Sequence, residues 1–212
     1  MHKQGVRHRI DALAASYMLD IIPTVAGGTL IDCGANIGEL GLWAATKGMS
    51  YIPFEPEALE AACCDLNNFS GATGTRRHPL WKQDETLRFF NRPRDADGSV
   101  LENGDDSQFV EVQARRLDSV LKAAELKHPV VFKVEAEGAE PEVLMGAMAL
   151  LGVMDFVSVD CGYERGNRND PQHTFVETNR LLTDAGFEVI ASSLRRGTFL
   201  FRRKNGPYRV MV

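Results

Sequence analysis

The sequence predicts an α/β protein with a doubly wound, mostly parallel sheet and helices on both faces. Apolar strand-like runs alternate with helix-like segments, which is the pattern that parallel sheets require. A glycine-rich loop follows the first strand-like run, TLIDC. The last two runs have only RRG (195–197) between them, so they form a hairpin in which one strand runs antiparallel to the rest.

The elements follow one another without a linker or an internal repeat, so we expect one domain over residues 1–212. The N-terminal region 1–26 is predicted to hold a helix at 8–22, because its apolar residues recur at helical spacing. Further helices are predicted at 37–48, 57–69, 118–126, 139–151 and 173–187. Strands are predicted at 29–33, 50–56, 73–81, 85–91, 109–117, 130–138, 155–162, 188–194 and 198–204.

Residues 92–108 are polar and rich in turn formers, which predicts a loop insertion. Loops of this length without secondary structure are often functional. We therefore expect this loop to cover the substrate site as a lid.

Composition excludes several classes of partner. A formal charge of −5 argues against a nucleic-acid partner, which requires a basic face. No apolar run approaches the roughly 18 residues that a membrane span needs. The four cysteines form no C-x-x-C pair and have no histidine at zinc-finger spacing, which predicts reduced thiols and a cytoplasmic location.

The stretch TLIDCGANIGELG (29–41) places a carboxylate, Asp32, where a strand meets a glycine loop and the start of a helix. In a doubly wound sheet, ligands bind at this end of the strands. Asp32 would repel a pyrophosphate, but it would attract the ammonium and sulfonium groups of S-adenosylmethionine. Glu55 ends the next strand, 23 residues later, where an acidic side chain can bind both ribose hydroxyls.

Four blocks of the sequence resemble the FkbM family of S-adenosylmethionine-dependent methyltransferases: IDCGANIGELG, FEP, RRLDSVL and FKVEAEGAEPEVLMGA. They occur in the family's order and cover about residues 29–150. The resemblance implies a class I methyltransferase fold, Rossmann-like, with a seven-stranded sheet whose last hairpin contains the antiparallel strand. It also implies O-methylation of a hydroxyl on a sugar, a polysaccharide or glycolipid precursor, or a natural product.

The resemblance further implies site residues. Glu55 binds the ribose, and the loop around the methionine part of the cofactor is formed by Asp32, Gly34, Asn36 and Gly38. The family usually has Lys-Ile-Asp-x-Glu-Gly after the fourth strand. In this chain the block begins at Lys133, and Glu135 replaces the aspartate.

Glu135 and Glu137 are the candidate catalytic residues, because they follow the apolar run VVF at the ligand edge of the sheet. Transfer of a methyl group to a hydroxyl is assisted by a base that takes the proton. Two neighbouring carboxylates could also share a proton or hold a divalent cation, although the base is favoured over a metal. Alternatively, Glu137 caps the next helix and Glu135 is a surface charge.

Substrate contacts are expected at the end of the fifth parallel strand. Asp160 ends that strand, and Glu164 and Arg165 lie in the loop after it, where they suit a hydroxyl-rich small molecule or glycan acceptor. A solvated loop is the alternative.

Two other functions compete with O-methylation. N- or RNA methyltransferases of this fold commonly carry an Asn/Asp-Pro-Pro-aromatic block after the fourth strand, and VEAEGAE (134–140) differs from that block. A noncatalytic binding protein built on the cofactor fold is disfavoured by the Asp32 loop and by Glu55.

Overall fold

The computed structural model describes residues 5–23, 27–90, 100–101, 109–167, 170–193 and 195–210. Its strands are β1 (Thr29–Cys33), β2 (Ser50–Phe54), β3 (Glu85–Phe90), β4 (Phe109–Ala114), β5 (Val130–Val134), β6 (Phe156–Asp160), β7 (Arg165–Asn167), β8 (Asp170–Gln172), β9 (Phe187–Ser193) and β10 (Thr198–Arg203). Its α-helices are α1 (Gly5–Ser16), α2 (Glu39–Thr46), α3 (Ala58–Phe69), α4 (Leu117–Val120), α5 (Glu140–Met145), α6 (Met148–Leu151) and α7 (Phe175–Asp184).

The main sheet has the strand order β2-β1-β5-β6-β10-β9. Strands β1, β2, β5 and β6 pair in parallel, whereas β10 is antiparallel to both β6 and β9. The predicted mostly parallel sheet and its C-terminal hairpin are therefore confirmed, and β10 is the antiparallel strand. The carboxyl ends of β1, β2 and β5 meet at one edge of the sheet, where the Rossmann-like arrangement places ligands.

The prediction of seven strands is wrong, because the main sheet has six among the described residues. Strands β3 and β4 form a separate antiparallel pair, and β7 and β8 form another. The predicted strand at 73–81 makes only one parallel bridge to β2, at Arg76. The Asp65 carboxylate accepts the N–H groups of Gly74 and Thr75, at 3.0 and 2.7 Å, so these donors are diverted from a strand ladder.

Pro53 explains why β2 is the edge of the main sheet. Its carbonyl faces outward and accepts the Arg76 N–H at 3.0 Å. The nitrogen of the same residue points to the same side of a strand, and a proline nitrogen carries no hydrogen. A neighbouring strand would lack one ladder bond at this position, and proline is confined to edge strands for this reason.

Successive strand residues point to opposite faces of the sheet, and both faces are apolar. Helices therefore cover both faces. On one face, Leu30, Val131 and Phe156 pack against α1 and α2. On the other face, Ile31, Phe132 and Val157 pack against α4, α5, α6 and α7. Both sets are buried, so the sheet forms the centre of a three-layer sandwich. In the described part of the chain, no helix is long and apolar enough to cross a bilayer.

Strand β5 is shorter than predicted. It ends at Val134, so Glu135 and Glu137 belong to the turn between β5 and α5. The predicted helix at 139–151 is divided into α5 and α6 near Gly146, where a Cβ atom would lie 1.9 Å from the Trp81 carbonyl oxygen.

The predicted lid at 92–108 lies outside the described residues, except for Val100 and Leu101. Its role stays a prediction, as does the organisation of residues 1–212 as one domain.

Candidate active site

A cavity opens at the carboxyl ends of β1, β2 and β5. Predicted cofactor and catalytic residues lie on its wall: Gly34, Asn36, Glu55, Glu135 and Glu137. Further walls come from the segment after β2 and from the β3 region. These additional lining residues are Cys33, Phe54, Pro56, Glu57, Glu60, His78, Pro79, Leu80, Phe89, Val100, Ala136 and Ala139.

Gly34 is required where the β1 loop crosses the end of β5. Its φ is +73°, in the left-handed region, and a Cβ atom would lie 2.4 Å from the Glu135 carbonyl oxygen. Any larger residue would therefore push the two loops apart. Because Gly34 has no side chain, its backbone is left facing the cavity.

Asn36 and Gly38 continue the loop, also with positive φ angles, of +49° and +79°. Asn36 lines the cavity, but Gly38 lies behind it as the residue before α2. A Cβ atom on Gly38 would lie 2.5 Å from the Cys64 sulfur, so this glycine allows α2 to pack closely on α3. Its predicted contribution to cofactor binding stays a prediction.

Glu55 occupies the end of β2 with an almost fully buried side chain. Its carboxylate accepts the N–H of Asn36 at 2.8 Å and the N–H of Glu57 at 2.9 Å. Burial raises the pKa of Glu55 to about 7, although these two hydrogen bonds act in the opposite direction. A carboxylate has roughly four acceptor positions, so Glu55 keeps capacity for two further donors.

Asp32 is placed beneath the loop and does not line the cavity. Its carboxylate is 1% exposed, lies 3.1 Å from the Lys133 ammonium and accepts a 2.8 Å hydrogen bond from the Tyr51 hydroxyl. Burial raises the pKa of Asp32, and the Lys133 ammonium acts against this rise. The Lys133 ammonium also donates to the carbonyl oxygens of Cys33 and Gly34, at 3.0 and 2.7 Å. Asp32 is therefore linked to the loop through the Lys133 ammonium, which contacts both.

Glu135 is the centre of a charged network. One carboxylate oxygen lies 2.6 Å from the Arg196 guanidinium. The other accepts a 2.5 Å hydrogen bond from the Tyr17 hydroxyl and lies 3.2 Å from the Lys133 ammonium. Burial alone would raise the pKa of Glu135, but Lys133, Tyr17 and Arg196 outweigh burial and hold that pKa at about 2.

Arg196 extends this network to β6. Its guanidinium lies 2.8 Å from the Asp160 carboxylate and stacks on the Tyr17 ring, with 4.5 Å between the guanidinium carbon and the ring centroid. Burial and the Glu135 charge raise the pKa of Asp160 to about 6. Asp160 is therefore brought to the same edge of the sheet as Glu135.

Glu137 lines the cavity from the turn after Glu135, and its side chain is partly exposed. Glu164 packs its backbone against Gly138, where a Cβ atom would lie 3.2 Å from the Glu164 carbonyl carbon. Arg165 pairs with the carboxylates of Glu142 and Glu177 on α5 and α7. Glu164 and Arg165 lie outside the wall of the cavity, and their predicted contact with substrate stays a prediction.

The sequence analysis did not assign a site role to Tyr17, Lys133 or Arg196. The sequence did contain a signal for Arg196. It lies in the basic turn RRG (195–197) of the C-terminal hairpin, and this turn lies at the edge of the sheet that carries the acidic residues. Tyr17 offered no comparable signal, since its spacing in the predicted helix indicated only a core position.

The polar residues on the cavity wall are five glutamates, one asparagine and one histidine: Glu55, Glu57, Glu60, Glu135, Glu137, Asn36 and His78. Among the described residues, no three histidine, cysteine, aspartate or glutamate side chains are grouped as metal ligands.

The fold and this cavity define a Rossmann-like α/β protein with a loop-lined cavity at the carboxyl edge of its sheet. The family model of the methyltransferase FkbM domain matches residues 32–189, and the chain belongs to this family. The chain therefore contains a methyltransferase domain, and the predicted cofactor, S-adenosylmethionine, is confirmed.

Solved structures with similar folds include the methyltransferase FkbM from Methylobacillus flagellatus KT, at 20% identity and a TM-score of 0.52 over 84% of this chain. Magnesium protoporphyrin IX methyltransferase from Synechocystis PCC 6803 with bound SAM is 11% identical, with a TM-score of 0.48 over 92% of the chain. The chain spans 44% of the length of the first of these structures and 77% of the second. A comparison with curated protein sequences finds no match.

Proposed function

We propose that this protein transfers the methyl group of S-adenosylmethionine to a hydroxyl of a sugar, a polysaccharide or glycolipid precursor, or a natural product. The observation that carries the proposal is that one cavity is lined by the Gly34 loop, the Glu55 carboxylate and the Glu137 carboxylate. These groups supply a cofactor loop, a ribose contact and a candidate base.

Glu55 is the ribose ligand in this proposal. The two N–H groups of Asn36 and Glu57 fix the carboxylate from the loop side. The remaining acceptor positions suit the paired hydroxyls of a ribose, which donate in the same direction. Gly34 and Asn36 then lie beside the methionine part of the cofactor.

The charges around the cavity support binding of a cationic sulfonium. The network joins three carboxylates, of Asp32, Glu135 and Asp160, to two cations, Lys133 and Arg196. With all five groups ionised, the network carries one net negative charge. Such a field favours the positive charge of S-adenosylmethionine over the neutral sulfur of the product.

Glu137 is the better candidate for the base of the two predicted catalytic glutamates. The Glu135 carboxylate is occupied by Tyr17, Lys133 and Arg196, and a pKa of about 2 makes it a weak proton acceptor. Glu137 faces the same cavity from the adjacent turn. In this proposal Glu135 has a structural role. Together with Arg196 and Asp160, it holds the carboxyl ends of β5 and β6 in place beside the cavity.

The Glu137 carboxylate supports a hydroxyl acceptor, since an alcohol must lose its proton as it is methylated. The cavity wall also carries apolar surface from Leu80, Phe89 and Val100, which suits the C–H face of a sugar ring. We also propose a cytoplasmic location, which the four free cysteines support.

The test is methyl transfer from S-adenosylmethionine carrying a labelled methyl group. The acceptors are the methyl glycosides of glucose, galactose, mannose and rhamnose, with glucosamine as an amine acceptor. Label in an ether of one of the glycosides is the expected result, and transfer to the amine alone would exclude O-methylation. Glu137→Gln should lower kcat by roughly 10²–10⁴, the range for loss of a general base.

A further inference from the structure

The turn that presents Glu137 has an unfavourable backbone conformation. Glu137 has a φ of +48°, and Gly138 follows with a φ of +95°. Residues other than glycine rarely adopt the left-handed region, so the surroundings must fix Glu137 there.

The carboxylate of Glu140 supplies that restraint. One of its oxygens, Oε1, accepts the N–H of Ala136 at 3.1 Å and the N–H of Gly138 at 3.0 Å. These are the peptide groups of the residues on either side of Glu137. The Glu140 side chain is 2% exposed, so little water competes for the two bonds.

The far side of the turn is restrained as well. The backbone and Cβ atom of Glu164 lie against Gly138, with 3.2 Å between the Glu164 carbonyl carbon and the position of a Cβ atom on Gly138. The turn is thus fixed between the Glu164 backbone and the Glu140 carboxylate, and the two side chains between the bonded amides are those of Ala136 and Glu137.

We propose that Glu140 is a positioning residue, whose carboxylate holds the β5–α5 turn so that the Glu137 side chain points into the cavity. This inference rests on the proposed function, in which Glu137 is the base. Glu140 lies outside the residues that line the cavity and acts on the reaction through Glu137 alone.

Two substitutions separate this role from a general contribution to folding. Glu140→Ala removes the acceptor of both bonds. Glu140→Gln keeps one oxygen on a side chain of the same length, and that oxygen can accept both N–H groups. Glu142→Gln is the matched control, because Glu142 is buried in the same helix but pairs with Arg165 instead of the turn.

The first measurement needs no acceptor. In protein saturated with S-adenosylmethionine and labelled with ¹³C at glutamate carboxyls, the Glu137 signal is assigned by its loss in Glu137→Gln. We expect this signal to shift in Glu140→Ala and to keep its wild-type position in Glu140→Gln and Glu142→Gln. An unmoved signal in a folded Glu140→Ala protein would overturn the proposal.

The second measurement is kinetic, with the labelled cofactor and the methyl glycosides. Glu140→Ala should lower kcat by about 10²-fold, as expected for a small displacement of a catalytic group, while cofactor affinity changes less than about twofold. Glu140→Gln should restore kcat. A Gln variant as slow as the Ala variant would refute the positioning role. If wild-type protein methylates none of the glycosides, the proposed acceptor class fails, while the ¹³C measurement still decides the role of Glu140.

Discussion

The Lys133 ammonium lies 3.1 Å from the Asp32 carboxylate, and both side chains are almost completely buried, at 2% and 1% exposure. The pair joins neighbouring strands, since Asp32 and Lys133 are opposite each other in the parallel register of β1 and β5. Burial alone would lower the pKa of Lys133, but the Asp32 and Glu135 carboxylates outweigh it and keep the ammonium charged. The Lys133 ammonium donates to the carbonyl oxygen of Gly34, so the ion pair lies directly beneath the Gly34 loop.

Lys133→Met should destabilise the protein strongly, because it leaves the Asp32 carboxylate buried without its cation. Removing one partner of a buried pair costs about 3–5 kcal/mol of the free energy of unfolding. Urea unfolding followed by circular dichroism measures this loss. Lys127→Met, at an exposed position, is the control and should change the free energy little. Equal effects of the two substitutions would contradict a structural role for the ion pair.

Gly34→Ala should disrupt both stability and cofactor binding. The added methyl group would meet the Glu135 carbonyl oxygen, and a φ of +73° is strained for alanine, at a cost of about 1–3 kcal/mol. Unfolding curves and calorimetric titration with S-adenosylmethionine measure the two effects. Gly152→Ala is the control, because no atom lies within 4 Å of its added Cβ and its φ is −57°. Wild-type cofactor affinity in Gly34→Ala would refute the role of this loop.

The raised pKa of Glu55 leads us to expect that cofactor affinity depends on pH. Its pKa of about 7 lies above the ordinary value of 4.5, so the free protein holds a proton on this carboxyl more tightly than the unfolded chain does. Stability from this group is present below pH 4.5 and is lost as the pH rises through about 7. Ribose hydroxyls donate to the ionised form, so binding favours loss of the proton. Affinity for S-adenosylmethionine should therefore rise with pH and level off above about 7.

Calorimetric titrations between about pH 6 and pH 8 test this dependence. Glu55→Gln cannot ionise, so its affinity should be lower and should lose the part of the pH dependence that is centred near pH 7. Glu60→Gln removes a charge from the same cavity and should retain the wild-type dependence on pH. A wild-type pH dependence in Glu55→Gln would assign the titration to another group.

Tyr17→Phe should weaken the network around Glu135. The substitution removes a hydroxyl that donates to Glu135 and accepts from Arg196, both at 2.5 Å. A hydrogen bond to a charged group contributes about 1.5–3 kcal/mol, and the free energy of unfolding should fall by that amount. Tyr208→Phe, whose ring packs against Phe156, is the control and should be nearly neutral. Chemical unfolding of both variants checks the difference, and a Tyr17→Phe protein as stable as the control would contradict it.

The sequence predicted the order of the sheet's alternating elements and the strand ends that carry Asp32, Glu55 and Glu135, because apolar runs and glycine loops are local signals. It failed for the strand at 73–81, whose apolar and β-branched residues resemble an edge strand. The conformation of this segment depends on the carboxylate of Asp65, which accepts hydrogen bonds from the N–H groups of Gly74 and Thr75. Tertiary hydrogen bonds of this kind have no local pattern.

The sequence also predicted only part of the site. Gly34, Asn36, Glu55 and Glu137 were predicted from short motifs and lie on one cavity. Two of the three partners of Glu135 come from residues 118 positions before it and 61 positions after it, and no spacing rule connects them. Periodicity could place Tyr17 in the core, but it could not show which group its hydroxyl binds.

The contact between Tyr17 and Arg196 has a consequence for how the enzyme is made. These residues are 179 positions apart, and both hold the Glu135 carboxylate. During translation, β1 and the cofactor loop emerge long before Arg196, so a nascent chain presents the Gly34 loop while Glu135 still lacks one of its cations. The contacts around Glu135 are complete only once the hairpin of β9 and β10, which carries Arg196, has been synthesised.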